Sequence, residues 1–369
     1  MSKIKTQLSK LYLFTIFGNL SLAGAWVALL SARGYDLVQI GIAETMFHVT
    51  SILFEIPSGA LADVFGRKKM LLVSAFMRML GNIIMIVSWN FPMVCMSLVF
   101  QALSYNFASG SDDALAYDSL KKAGEEAAYE KYNSNQMILY RICDGISTLC
   151  AGLALVLGYR IAYGTGVIAG IFQIITELSL KEVCGSNHKD LSYGKAAKRY
   201  VMEEIVRCFQ KSVCFLYHER RVTAYMLCNS LVGAVDVLLL FFLQAKLPEC
   251  GMPQWGLGAA LLFMQMGGVV GARLVLRLDK WSYPKVAAVM SVPVAAGFLA
   301  EHSGIYLIMM IGGFLSAIGD DVLQIRTNAK LQGMVPSEQR ATIMSGDSFL
   351  FSVIMIVLSP LAGIVFSVW

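Results

Sequence analysis

Long apolar runs separated by short polar links repeat along almost the whole chain. The runs fall at about 11–32, 37–62, 70–89, 91–117, 133–158, 161–180, 223–247, 256–278, 285–301, 304–328 and 342–368. A run of roughly 18 or more apolar residues crosses a hydrocarbon core as a helix. Lipid offers no water to backbone groups, so such runs are helices and not open strands. The strict alternation of a membrane β-barrel, with turn signals about every ten residues, is absent. The pattern therefore predicts an all-α polytopic membrane protein of eleven spans.

The links sort by charge. With the N-terminus inside, the inward links hold Lys3, Lys5 and Lys10, then Arg67, Lys68 and Lys69, then Lys121, Lys122 and Lys131. The outward links carry only Arg33, Arg160 and Lys246. Excess Lys and Arg marks the cytoplasmic side, which predicts a multi-pass cell-membrane protein with a cytoplasmic N-terminus. The basic start resembles a signal peptide, but its apolar run is too long and no small-residue cleavage site follows. It reads as span one. The longest inward link contains "KRYVMEEIVRCFQKSVCFLYHERR", in which Val201, Ile205, Phe209, Val213 and Leu216 recur at helical spacing. That predicts an amphipathic helix on the inner membrane surface, joining two halves.

Composition narrows the function. The 369 residues are 57% hydrophobic and 15% charged, against about 25% charged in soluble domains. The net charge of +5 follows membrane side and does not indicate nucleic acid. Eight scattered cysteines form no C-x-x-C and no Cys/His cluster, so they read as small buried apolar residues and no metal site is expected. No nucleophile–base–orienter set and no G-x-x-x-x-G-K-[ST] loop is present. An enzyme and a nucleotide-driven pump are both disfavoured. No cofactor is expected, and a proton gradient is the expected energy source.

The chain also repeats itself. "SGSDDALAYDSLKK" in span four matches "AIGDDVLQIRTNAK" in span ten at an offset of 208 residues. Asp112 and Asp113 fall on Asp320 and Asp321, Leu115 on Leu323, Ser119 on Thr327, and Glu130 on Glu338. A repeat across half the protein points to two homologous bundles, as in transporters built from repeated halves. The predicted domains are a six-helix bundle at 1–181, a cytoplasmic linker at 182–222 and a second bundle at 223–369. By the same offset the counterpart of span six would fall at about 369–388, so the sequence predicts that the last helix is missing, most simply by truncation.

Between spans two and three stands "GALADVFGRKKML". Gly59, Asp63, Gly66, Arg67 and Lys68 match the signature loop of the major facilitator superfamily, which this chain resembles over nearly its whole length. The resemblance implies two six-helix bundles working by alternating access, a loop that gates conformational change, and a pathway lined mainly by helices one, four, seven and ten. Physically, Gly59 is expected to let the end of span two approach a neighbour closely. Asp63 is placed to face a helix N-terminus or a basic side chain. Arg67 is expected to reach Asp118, latching the inner side with the 1–3 kcal/mol or so that biases a two-state carrier. The matching link of the second half, "GGVVGARLVLRLDKWSYPK", keeps glycines and basic residues but loses the acid and the G-R-K.

Ionisable residues at membrane depth are costly and mostly functional. In span two Glu44, His48, Ser51, Glu55 and Ser58 are spaced four, three, four and three, a polar stripe expected to line the central cavity. Span four adds Asn106, Ser109, Asp112 and Asp113, and span five adds Arg141, Asp144 and Thr148, with Arg141 either pairing with Asp144 or neutralising an acid on span two or four. Asn229 and Asp236 share a face of span seven, and Ser316, Asp320 and Gln324 share one of span ten. Arg273, Arg326 and Asp347 lie nearer helix ends, where snorkelling or pairing is expected. A carboxyl group kept from water without a full counter-charge can exchange protons near neutral pH; Glu55 and Asp113 are the first candidates. Acids with Phe54, Tyr105, Tyr140 and Trp26 as walls suit a cationic or zwitterionic small molecule.

The resemblance is to the bacterial multidrug-efflux-like branch, although "DGISTLCAGLALVLG" in span five has Gly145, Gly152 and Gly158 without that branch's proline. The expected function is proton-coupled efflux of a small amphipathic or cationic compound by a monomer in the bilayer. Proton-driven nutrient uptake, or a non-transporting sensor or defective fragment, are the competing readings.

Overall fold

A computed structural model describes residues 2–183, 217–334 and 340–368, with five isolated positions (203, 206, 207, 210 and 214) in between. All regular structure among the described residues is helical. Ten segments are long and apolar enough to cross a membrane. They are Ile4–Ala32 (span one), Leu37–Glu55 (two), Arg67–Val87 (three), Phe91–Ala123 (four), Tyr159–Leu178 (six), Arg220–Glu249 (seven), Gln254–Arg277 (eight), Tyr283–Ser303 (nine), Tyr306–Leu331 (ten) and Gly346–Val368 (eleven). Span five is the pair Glu126–Leu149 and Ala151–Leu157, bent by 47°. These segments agree with the all-α, eleven-span reading. The predicted surface helix of the linker, the side chains of Asp63 and Glu130, and Glu338 lie outside the described residues.

Besides the bend in span five, spans one and four are interrupted where the sequence predicts continuous helices. In span one, helix Ser2–Asn19 stops, a short turn runs over Leu22–Ala25, and helix resumes at Trp26–Ala32. Span four begins cleanly: Asn90 Oδ1 accepts the Met93 N–H at 3.1 Å, with Pro92 in the first turn. It then ends at Ala108 and restarts at Ser111, because Gly110 takes a left-handed conformation at φ +71°. The repeat explains why span ten runs unbroken through Tyr306–Met334: the position matching Gly110 is Ile318, a β-branched residue for which the left-handed region is closed.

The helices gather into two compact units that cut across the sequence halves. The first comprises Met1–Gly24, Met46–Ser147 and Leu157–Phe209. Polar bonds tie spans three and four within it: Ser97 Oγ donates to Gly81 O at 2.8 Å, Ser74 Oγ to Ser104 O at 2.8 Å, and Gln101 Nε2 to Asn82 Oδ1 at 2.9 Å. Such bonds act as glue where lipid supplies no hydrophobic drive between helices. Leu11, Phe14, Leu71, Leu115, Leu120 and Tyr132 form a buried cluster.

The second unit comprises Ala25–Thr45, Thr148–Val156 and Gln210–Trp369. Span ten packs against spans eight and nine backbone to backbone. A methyl group at Gly267 would lie 2.2 Å from Phe314 O, and one at Gly319 would lie 2.4 Å from Met290 O. Parts of spans one, two and five belong to this unit too. Trp26 meets Phe241 edge-on with centroids 5.6 Å apart, Thr45 Oγ1 donates to Ile356 O at 3.3 Å, and a methyl at Gly258 would sit 2.0 Å from Leu149 O.

Candidate functional site

The signature loop is held from several sides within the first unit. Gly66 enters span three at φ +97°, a conformation costly for L-residues. Its missing side chain leaves room for Glu182, whose Oε2 would lie 2.6 Å from a methyl there. Glu182 Oε2 accepts the Lys68 backbone N–H at 3.0 Å, so a carboxylate sits on the positive end of span three. Lys68 Nζ donates to Leu178 O at 2.9 Å. Arg67 Nη1 donates to Ala114 O at 2.9 Å and forms an ion pair with Asp118. Gly66→Ala is therefore expected to cost about 1–3 kcal/mol from the backbone conformation alone, read as a lower unfolding temperature in detergent. An unchanged temperature would show that Glu182 and the turn relax freely.

Gly59 corrects the sequence reading. It is exposed, and nothing lies within 4 Å of a methyl built on it, so the end of span two makes no close approach there. Glycine spacing alone did not distinguish a packed helix end from an open one.

The stripe on span two is largely enclosed: Glu44, His48, Ser51 and Ser58 are buried and Glu55 is half-buried. Ser51 and Asn106 bind one another reciprocally, Ser51 Oγ to Asn106 Oδ1 at 3.0 Å and Asn106 Nδ2 to Ser51 O at 2.9 Å. That part of the stripe joins span two to span four. Ser58 Oγ turns back to Glu55 O at 2.8 Å. Glu55 lies within electrostatic reach of Tyr105, and Tyr105 of Tyr140. The Gly110 break sets Asp112 and Asp113 in the first turn of the second half of span four, where carboxylates favour the helix dipole. Asp112 accepts Gln136 Nε2 from span five at 3.2 Å. Arg141 is exposed, and no ion pair joins it to half-buried Asp144.

The second unit gathers carboxylates. Asp236 of span seven is buried and accepts the Ser316 hydroxyl of span ten. Asp320 lies against Gly233, its Oδ1 3.2 Å from a methyl built there. Asp236, Asp320 and Asp321 act electrostatically on one another. Ser230 Oγ donates to Asp347 at 3.5 Å. Arg326 turns away, with Nη2 donating to the carbonyls of Asp279 at 2.8 Å and Trp281 at 2.9 Å. No basic side chain among the described residues pairs with Asp236 or Asp320. No group of three or more His, Cys, Asp or Glu suited to a metal ion occurs among them either.

Sequence reasoning missed two groups. Arg78 in span three and Glu177 in span six each interrupt an apolar run, and that was the available signal; their meeting was not visible because they stand on separate spans.

Membrane-length helices gathered in two units, with charges inside them, are the features to be compared with known proteins. The sequence profile of the Major Facilitator Superfamily matches residues 9–358, and the chain belongs to that family. It is 20% identical over 357 residues to YxaM of Bacillus subtilis (strain 168), an uncharacterized MFS-type transporter, covering 93% of this chain and 83% of the relative. A 51-residue stretch, 14% of this chain and 13% of the relative, is 42% identical to the uncharacterized transporter BU466 of Buchnera aphidicola (subsp. Acyrthosiphon pisum, strain APS). Among solved structures, a variant of the nucleoside transporter NupG superposes with a TM-score of 0.73 at 13% identity, covering 99% of this chain and 92% of that one. A variant of the peptide transporter POT gives 0.67 at 12% identity, covering 98% and 93%. The protein is thus a multi-span membrane transporter.

Proposed function

We propose that this transporter exports a small amphipathic or cationic compound across the cell membrane in exchange for protons, working as a monomer with its N-terminus in the cytoplasm. The observation that carries this reading is the set of Asp236, Asp320 and Asp321, three carboxyl groups within reach of one another in membrane helices. Asp236 is bonded to a serine, and among the described residues no basic side chain pairs with it or with Asp320. Intramembrane acids of this kind accept protons or a cationic group. Glu44 of the second unit and Glu55, Asp112, Asp113 and Asp144 of the first, with His48 and Arg141, extend the same chemistry. No cofactor is required, since the proton gradient supplies the energy. Gly59, Asp63, Gly66, Arg67, Lys68 and Asp118 form the gating loop in this reading.

Everted membrane vesicles with an acidified lumen test it. Adding a lipophilic cation is expected to dissipate the gradient for the wild type and not for Asp236→Asn or Glu55→Gln. Gradient-driven accumulation of nucleosides or peptides in right-side-out vesicles, with no response to any cation, would replace export by uptake. Dissipation by cations that both variants retain would remove these acids from the coupling.

A further inference from the structure

The break in span one leaves helix-end carbonyls without partners of their own, and within a membrane each needs one from elsewhere. Ser147 Oγ of span five donates to Asn19 O at 2.8 Å and receives the Ser21 N–H at 3.3 Å. Thr165 Oγ1 of span six receives the Leu22 N–H at 3.0 Å. The Gly18 carbonyl is taken by Nη1 of Arg78 from span three, whose Nε donates to Ser104 Oγ of span four at 3.3 Å. A cation on the C-terminal end of a helix is electrostatically favoured. A methyl at residue 18 would stand 2.6 Å from that nitrogen, so the glycine admits the guanidinium.

Span six presents Gln173 and Glu177, one turn apart, to the same place. Both are 0% exposed; the Gln173 amide stands beside the Glu177 carboxyl without a well-formed hydrogen bond, and no other group among the described residues satisfies either side chain. Gln173 Nε2 lies 3.6 Å from the position of the Gly18 methyl. Arg78 and Glu177 act on one another electrostatically, and no other charged group among the described residues acts on either. The remaining groups facing them are the Gly18 carbonyl from span one, the Ser104 hydroxyl from span four and the Gln173 amide. Lys10 and Lys68, at the inner end of span six, are bonded to the carbonyls of Ser179 and Leu178. A buried acid with no neighbour but an amide, beside a guanidinium committed to a carbonyl, has two ways to be satisfied. It takes a proton, or it draws the guanidinium away.

We propose that Glu177 is a proton-binding site internal to the first unit, and that its charge state decides whether Arg78 stays on the broken end of span one. Uptake of one proton converts the carboxylate to a carboxylic acid; its O–H has an acceptor in Gln173 Oε1, and Arg78 remains on Gly18. Loss of that proton pairs Arg78 with Glu177 and frees the Gly18 carbonyl. The ligand is a proton because the guanidinium repels other cations, the carboxylate repels anions, and neither Gln173 nor Glu177 is open to solvent. The chain passes from the first unit to the second between Gly24 and Ala25, just beyond this break. The proposal deepens the proton-coupled reading above and rests on it for its physiological role.

The test uses the full chain in detergent, with Glu177→Gln, Arg78→Gln and Glu55→Gln as variants. An infrared difference spectrum between acid and alkaline pH is expected to show a protonated-carboxyl band that Glu177→Gln removes and Glu55→Gln keeps. Amide hydrogen exchange over residues 20–25, corrected for intrinsic pH dependence, is expected to accelerate about tenfold in the wild type as Glu177 ionises. It should stay slow at every pH in Glu177→Gln and fast in Arg78→Gln. Should Arg78→Gln fail to fold, Glu177→Gln decides alone. An unchanged infrared spectrum in Glu177→Gln, or a wild-type pH response of its exchange, overturns the proposal. If vesicles show no proton flux while both signatures hold, the transport reading fails and the proton site stands. If flux is present and the signatures are absent, the converse holds.

Discussion

Gly319→Ala is expected to destabilise the second unit strongly. The added methyl would lie 2.4 Å from the Met290 carbonyl oxygen and 3.0 Å from Val294 Cγ2, and a backbone oxygen cannot swing aside as a side-chain tip can. Spans nine and ten must separate, and forced overpacking of this kind costs about 1–3 kcal/mol or more. The control has the opposite sign. Gly59→Ala meets nothing within 4 Å on an exposed helical face, so removing a helix-interior glycine should add about 0.5–1 kcal/mol. Thermal unfolding of the two variants in one detergent checks both signs. A Gly319→Ala protein as stable as the wild type would mean that the two spans slide apart without loss.

The second large effect is expected at Asp118. Its side chain is 19% exposed and that of Arg67 is 28% exposed, so the pair lies between a solvated surface bridge and a buried one. Asp118→Asn leaves the guanidinium with the Ala114 carbonyl but without its counter-charge. The expected loss is about 1–3 kcal/mol, a five- to 150-fold change in whichever equilibrium the pair biases. A double-mutant cycle with Arg67→Gln, read both as unfolding and as initial transport rate, separates the two uses. Coupling in the unfolding cycle alone makes the pair a brace of the first unit. Coupling in the rate as well makes it part of the transport cycle. Zero coupling in both would show that the two side chains do not work together.

The fold was open to reading because lipid imposes a simple rule on backbone groups, and run length reports it directly. The interruptions were harder. Ser109, Gly110 and Ser111 resemble many small-residue stretches of membrane helices, and only the comparison with Ile318 in the repeat shows why one copy breaks and the other continues. The Arg67–Asp118 contact could be anticipated because the loop fixes Arg67 at the start of span three and Asp118 lies near the C-terminal end of span four. The meeting of Arg78, Gln173 and Glu177 with Gly18 depends on how spans one, three and six pack, which periodicity does not carry. Gly59 shows the limit from the other side: a residue type suited to close packing does not supply the neighbour to pack against.

The composition of the second unit bears on how this protein can be assembled. Since Ala25–Thr45 and Thr148–Val156 pack with residues that follow the middle loop, neither product of a cut in that loop would be self-sufficient. The later fragment would lack Trp26, Thr45 and Leu149, against which Phe241, Ile356 and Gly258 are set. Two fragments expressed from separate genes should therefore accumulate only together, and for a nascent chain the segments Ala25–Thr45 and Thr148–Val156 must wait for partners not yet synthesised.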